Sequence, residues 1–195
     1  MVKRFINVKD RIVAMAIKQI NESGLEALTL ENVALVGGIP LEVVVRCFGD
    51  RDELLVAVAH EYVKFDDQVF DTVKSKEMDH IDKILEMFKL FSTYYTNYGD
   101  MATFVVDYEG LLHNVNTRNI ISNCIEGRRN FVMKEYTDAV KDGEIKEIFT
   151  PNEFATILFG SASRDVLYRR IGAIEHSHSE VTISMISKLF DLLKK

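Results

Sequence analysis

The chain has 195 residues, with 24 Lys+Arg against 30 Asp+Glu for a net charge of −6, 47% hydrophobic residues, two Cys, two Pro and no Trp. That length and apolar fraction suit one or two packed domains and exclude the disordered, collagen-like and disulfide-stapled classes. The acidic balance argues against nucleic acid as a bulk electrostatic partner, although net charge can conceal a local basic patch.

Cys47 and Cys124 stand far apart, with neither a CxxC spacing nor a His at zinc-ligand distance. Free thiols in a reducing compartment are expected, and neither a metal nor any cofactor is. No apolar run is longer than that from Leu54 to Ala59, which falls far short of the roughly 20 residues a membrane span requires. Lys3 and Arg4 are followed by the polar residues Asn7, Lys9, Asp10 and Arg11, so no continuous hydrophobic region of a secretory signal follows. A cytoplasmic location without membrane contact is the expectation.

Breaker residues are sparse, and apolar residues recur at intervals of three and four, so the chain reads as all-α. Residues 8–23 place Ile12, Met15, Ala16, Gln19 and Ile20 at helical spacing, and Ser23-Gly24 supplies a stop. Thr29 suits the N-cap of a second, short helix with Glu31 near its positive end, closing at Gly37-Gly38. Pro40 fits the first position of a third helix running to about Phe48. The β-branched run Val43-Val44-Val45 is the one strand-like signal, too short to found a sheet. A longer helix begins at Asp50, with Leu54, Leu55, Val58, Ala59 and Tyr62 as its buried stripe. Helical segments follow near 61–75, 79–98, 101–114, 117–141, 151–170 and 178–194. Two short helices joined by a Gly-containing turn after a longer one match a helix-turn-helix, and equally a small three-helix scaffold without a partner.

The N-terminal residues carry a family resemblance. Arg11-Ile12, Ala16, Gly24, Thr29, Val33-Ala34, Gly38-Ile39, Arg46, Phe48, Arg51 and Leu54-Leu55 resemble, in order and spacing, the signature of the TetR family of bacterial transcriptional regulators. The resemblance is dense over 9–60 and looser beyond, where the Asp142-Gly143-Glu144-Ile145 turn before two final helices also agrees. It implies a helix-turn-helix DNA-binding domain over 1–55 and a helical ligand-binding and dimerisation domain over 56–195. The implied protein is a homodimeric repressor that binds a palindromic double-stranded DNA operator and responds to a small-molecule effector.

Carried over by position, the resemblance assigns Thr29 and Arg51 to phosphates, with a plain helix cap and a solvated charge as their respective alternatives. It turns Leu41, Glu42 and Val43 toward the groove, where family members usually present basic or small polar residues. Val45 stands where a Tyr is usual, and Arg46 is the one residue of this helix able to reach a phosphate or a guanine edge. Residues 1–55 hold seven Lys/Arg against eight Asp/Glu, whereas DNA-binding heads are normally positive. Lys3 and Arg4, with Lys9 and Arg11, form a basic arm able to reach an adjacent groove, or else a solvated terminus. A second reading therefore stands beside the first: a TetR-fold dimer with lost or weakened DNA binding that serves as a small-molecule or protein-binding module.

In the body, Phe88, Phe91, Tyr95 and Tyr98 lie close to one helical face, and Phe104 and Tyr108 follow on the next segment. These residues are core, or they wall a cavity for a flat, largely apolar effector. Residues 152–170 and 181–193 would contribute Phe154, Ile157, Leu158, Ala162, Ile186, Leu189, Phe190 and Leu193 to a four-helix dimer interface, or else to packing within the chain. Asp66-Asp67 reads as a solvated pair. His176-x-His178 lacks further ligands at zinc spacing, and no nucleotide loop, hydrolase elbow or metalloprotease motif occurs, so no enzyme is expected.

Overall fold

The computed structural model describes residues 7–97, 110–170 and 178–194. It is all-α, and the described residues divide between two compact units: one drawn from Met1–Lys64 and Asp107–Ser122, the other from Phe65–Val106 and Asn123–Lys195.

The first unit opens with α1 (Val8–Ser23), whose N-terminus is capped by the Asn7 side chain accepting from the Lys9 N–H. Ile12, Ala16 and Ile20 recur on one face and are wholly buried. Gly24, at φ 83°, ends the helix as expected, and a 3-10 turn over Leu25–Ala27 follows. Thr29 caps α2 (Leu30–Gly37) by accepting from the Asn32 N–H at 3.1 Å. Gly38 closes it in the left-handed region at φ 57°.

Pro40 precedes α3 (Leu41–Cys47) as its cap residue and is not the first helical residue. Its ψ of 134° is extended, while its carbonyl accepts from the Val43 N–H at 2.9 Å. The valine run lies in this helix, because burial of Val44 outweighs the weak strand preference of three β-branched residues. Asp50 caps α4 (Arg51–Val63) by accepting from the Glu53 N–H, and the Glu53 carboxylate in turn takes the Gly49 N–H. α1 packs on α2 and α4, and α2 packs on α3.

The 3-10 turn exposes carbonyls that no regular helix pairs, and side chains from three helices take them. Gln19 of α1 and Asn32 of α2 both donate to the Ala27 carbonyl, at 3.2 and 3.0 Å. Arg51 of α4 donates through Nε to Leu28 O at 2.8 Å and through a terminal nitrogen to Leu25 O at 2.9 Å. Arg11 of α1 similarly donates to the last carbonyl of α2, Gly37 O, at 2.7 Å.

A later stretch completes this unit. Gly110 meets Leu25 so closely that a Cβ would lie 2.6 Å from its Cδ2. The Asn114 and Asn116 amides donate one bond to each oxygen of Asp52, at 3.0 and 3.2 Å. Thr117, wholly buried, donates to Leu111 O.

The second unit contains α5 (Asp66–Ser75) and α6 (His80–Asn97), most of α7 (Arg118–Lys141), and α8 (Pro151–Arg170) and α9 (His178–Leu193). α6 packs on α5 and α9, and α9 packs on α8. An aromatic column runs through the core, with ring centroids 4.3 Å apart for Tyr136 and Phe154 and 5.8 Å apart for Phe154 and Phe190. The Tyr136 hydroxyl donates to Phe149 O and accepts from Phe149 N–H, so its polar end is satisfied. α7 ends at Lys141, Gly143 at φ 79° turns the chain, and the following Glu144 carboxylate accepts from the first two amides of α6, His80 and Ile81, at 3.0 and 3.1 Å. The same turn reaches the end of α9 through Lys146 N–H donating to Leu193 O at 2.8 Å.

Truncating Arg51 leaves the Leu28 carbonyl without its guanidinium donor and the Leu25 carbonyl with only the Leu28 N–H, at 3.2 Å. Arg51→Ala is expected to destabilise the first unit by about 2 kcal/mol. Arg51→Lys is expected to recover only part of that loss, since one ammonium cannot reproduce the planar fork across two carbonyls. Urea unfolding followed by hydrogen exchange in α1 to α4 measures both, and an Arg51→Ala chain as stable as the parent would show that the bonds contribute nothing.

Candidate functional site

The helix-turn-helix formed by α2, the Gly38 turn and α3 depends on two local facts: Gly38 adopts a left-handed backbone that side chains disfavour, and Val44 anchors α3 in the core. With Val44 inside, Leu41, Glu42, Val45 and Arg46 are exposed and Val43 is half-buried. The surface the sequence assigned to the groove is thus presented outward, with Arg46 at the end of the helix. Lys3 and Arg4 lie outside the described residues.

Two assigned phosphate contacts are engaged within the chain. The Thr29 oxygen accepts the Asn32 N–H, which leaves its hydroxyl hydrogen for an outside acceptor. Arg51 is half-buried with its guanidinium turned inward onto Leu25 and Leu28. It therefore braces the first unit, and the alternative reading of a purely solvated charge does not hold.

Periodicity also fails to show how apolar the outward surface of these two helices is. Leu35 is 82% exposed, and Val36, Leu41 and Val45 are exposed as well. Glu31 and Glu42 are the exposed acids on the same two helices, and Arg46 is the exposed cation.

In the second unit, Phe88 and Phe91 of α6 are buried. Phe88 lies 5.4 Å from Phe159, and Phe91 packs edge-on to Phe70. The Tyr95 side chain and all of Tyr98, Phe104 and Tyr108 lie outside the described residues. Beside Phe91 stands a buried polar cluster that sequence reading missed. Asp66, read as solvated, is buried and accepts two bonds of 2.7 Å from Arg128, whose guanidinium centre lies 4.3 Å over the Phe91 ring. Asp67, by contrast, is exposed. The Cys124 thiol donates to the same Asp66 carboxylate at 3.3 Å. Burial, with the Asp66 charge and hydrogen bond, outweighs the opposing Arg128 charge and pushes that thiol up to about 12, so it stays protonated and unreactive at neutral pH.

The residues assigned to a dimer interface separate into two groups. Phe154, Leu158, Ile186, Phe190 and Leu193 are enclosed by their own chain, at 2% exposure or less, and form its core. Ile157 is exposed, and Ala162 and Leu189 are half-buried. The outward face of α8 carries Ile157, Gly160, Arg164 and Tyr168, and that of α9 carries Met185, Lys188 and Leu192, the last 75% exposed. Helical spacing cannot separate these faces in sequence, because apolar residues occur on both.

His176 and the His178 side chain lie outside the described residues. Among the described residues, no three His, Cys, Asp or Glu side chains are grouped to hold a metal, and no helix is long and apolar enough to cross a membrane.

No family model matches the sequence, and no curated protein does. Solved structures do match. The ketosteroid transcriptional regulator KstR2 of Mycobacterium tuberculosis superposes with a TM-score of 0.84 at 11% identity, covering 100% of this chain and 97% of that one. FadR from Bacillus subtilis, a transcriptional regulator in complex with stearoyl-CoA, gives 0.74 at 18% identity over 92% and 96% of the two chains. The TetR-family transcriptional regulator PfmR from Thermus thermophilus gives 0.73 at 15% identity over 97% and 98%. With helices, turn and whole-chain coverage in agreement, this chain has the fold of the TetR-family transcriptional regulators.

Proposed function

We propose that the protein is an effector-responsive transcriptional regulator, a repressor that binds palindromic DNA as a homodimer. The observation that carries this reading is the Gly38-hinged helix-turn-helix, with Leu41, Glu42 and Arg46 outward, within a fold shared end to end with known regulators. Arg46 contacts a phosphate or a guanine edge, the Thr29 hydroxyl donates to a phosphate, and Lys3 and Arg4 supply the arm. Arg51 contributes by holding the unit together.

A second copy covers the outward face of α8 and α9. Ile157, Gly160 and Tyr168 with Met185 and Leu192 form an apolar strip broken by a glycine that permits close helix approach, and Arg164 and Lys188 give it charged edges. The effector is a largely apolar small molecule held by the aromatic residues of the second unit. That choice is supported by the aromatic run from Phe88 onward and by the acyl-CoA bound to the Bacillus subtilis regulator of the same fold. The protein acts without catalysis, in the cytoplasm.

One observation favours a second reading. Leu35, Val36, Leu41 and Val45 make the exposed side of the helix-turn-helix apolar, and Glu42 repels phosphate unless it accepts from a cytosine amino group. On that reading the head has lost sequence readout, and the dimer binds small molecules or proteins.

Selection from a random DNA pool at low and moderate salt separates the two readings. A regulator enriches a palindrome with half-sites about one helical turn apart. Retention at low salt alone, without enrichment, supports the second reading. Arg46→Ala is expected to weaken binding across sequences and to lower the salt slope by about one while leaving unfolding unchanged. Arg51→Ala is expected to lose affinity only together with stability. Leu192→Glu is expected to convert dimers to folded monomers in sedimentation, and a dimer that survives it would move the interface elsewhere.

A further inference from the structure

His80 is the first residue of α6, and its ring lies between two carboxylates of other elements. Nδ1 is 2.6 Å from Glu135 Oε2 of α7, and Nε2 is 3.3 Å from Asp142 Oδ2 in the turn after α7. A neutral imidazole has one N–H and one lone pair, so it can donate to only one of these oxygens and must turn its lone pair toward the other. An imidazolium donates to both. The arrangement therefore calls for a proton on each ring nitrogen, although the described contacts are otherwise those of a structural residue.

We propose that His80 is a proton-operated latch that fastens the start of α6 to the end of α7 and to the turn that follows. The groups facing it are Glu135, Asp138 and Lys134 on α7, Asp142 and Glu144 in the turn, and Lys83 on its own helix. Glu135 is buried and has Lys134 and Lys83 at 3.5 and 3.8 Å. Those lysines keep the carboxylate compensated when His80 is neutral, so losing the proton loosens the latch without leaving a bare buried charge.

Burial acts to lower the His80 pKa, but the hydrogen bond and charge of Glu135, with the charge of Glu144, raise it above its ordinary value against the pull of Lys83. A pKa raised in the folded state stabilises fully below the unfolded value of about 6.5, and that stabilisation is lost as pH rises through the folded value. The latch thus closes on acidification and opens toward alkaline pH. Its effect extends along the turn, because Glu144 caps α6 while Lys146 N–H holds Leu193 O at the end of α9. His80 thereby sets how firmly the ends of α6, α7 and α9 are held together. None of this requires DNA or an effector.

The test uses the full-length chain. The His80 ring proton, assigned by its loss in His80→Gln, is followed by NMR from pH 5 to pH 9. Amide exchange at Ile81 and Lys146, corrected for intrinsic chemistry, is measured over the same range. The expected result is a His80 midpoint above that of a free imidazole, lowered in Glu135→Gln. Protection at Ile81 and Lys146 should fall severalfold across that midpoint in the parent and stay flat in His80→Gln. A midpoint at or below the free value overturns the proposal, as does amide protection that ignores it. If His80→Gln fails to fold, assignment by through-bond correlation in the parent allows the same two measurements to decide.

Discussion

Three carbonyls in and just after a 3-10 turn govern the N-terminal unit. Where the chain leaves the helical path, the oxygens of Leu25, Ala27 and Leu28 meet protein donors, and a carbonyl left unpaired away from water is costly. Gln19, Asn32 and Arg51 satisfy them from three helices at once. The same bonds therefore fix α1, α2 and α4 about one short turn. The angle at which α2 leaves that turn, and so the direction in which α3 faces, follows from polar satisfaction as much as from hydrophobic packing. Thr29 and Gly38 then set the two ends of α2 locally.

The second unit places a charge where hydrophobic packing alone would serve. Asp66 and Arg128 are both buried, and an ion pair of this kind contributes little net stability while making loss of either partner expensive. What it supplies is geometry. A bidentate guanidinium stacked on Phe91 fixes α5, α6 and α7 in one register, whereas apolar contacts among them tolerate sliding. The helix-turn-helix shows the converse case, in which the backbone has the form of the motif while its outward surface is largely apolar. Fold and readout are separable properties, and only the second decides what the head binds.

Features set by neighbours in sequence are legible in the sequence alone. Gly24, Thr29, Gly38, Asp50 and Gly143 act within a turn of where they stand, so composition and spacing locate them. Asp66 was misread, and the inward bonds of Arg51 went unseen, for the opposite reason. Their partners lie 23 to 62 residues away, and at a helix start an inward charge has the same local pattern as an outward one. The α8 residues failed in a third way: Phe154 and Ile157 are both apolar and three apart, yet one is core and the other surface. Which face is covered depends on where α9 lands, and periodicity carries no such information.

The stretch from Gly110 to Thr117 gives the N-terminal unit a history in time. Helices α1 to α4 leave the ribosome well before Asn114, which completes the pairing of Asp52 from 62 residues downstream. At about 5 to 20 residues per second, the nascent unit waits several seconds with Asp52 hydrated and the Leu25 surface open. Helices as short as α2 and α3 are marginal alone, so the early chain depends on the contacts among α1 to α4 while those of the later stretch are absent. The unit is thus finished out of the order in which it is made, and a chain interrupted in that interval carries a helix-turn-helix whose supporting side is still uncovered.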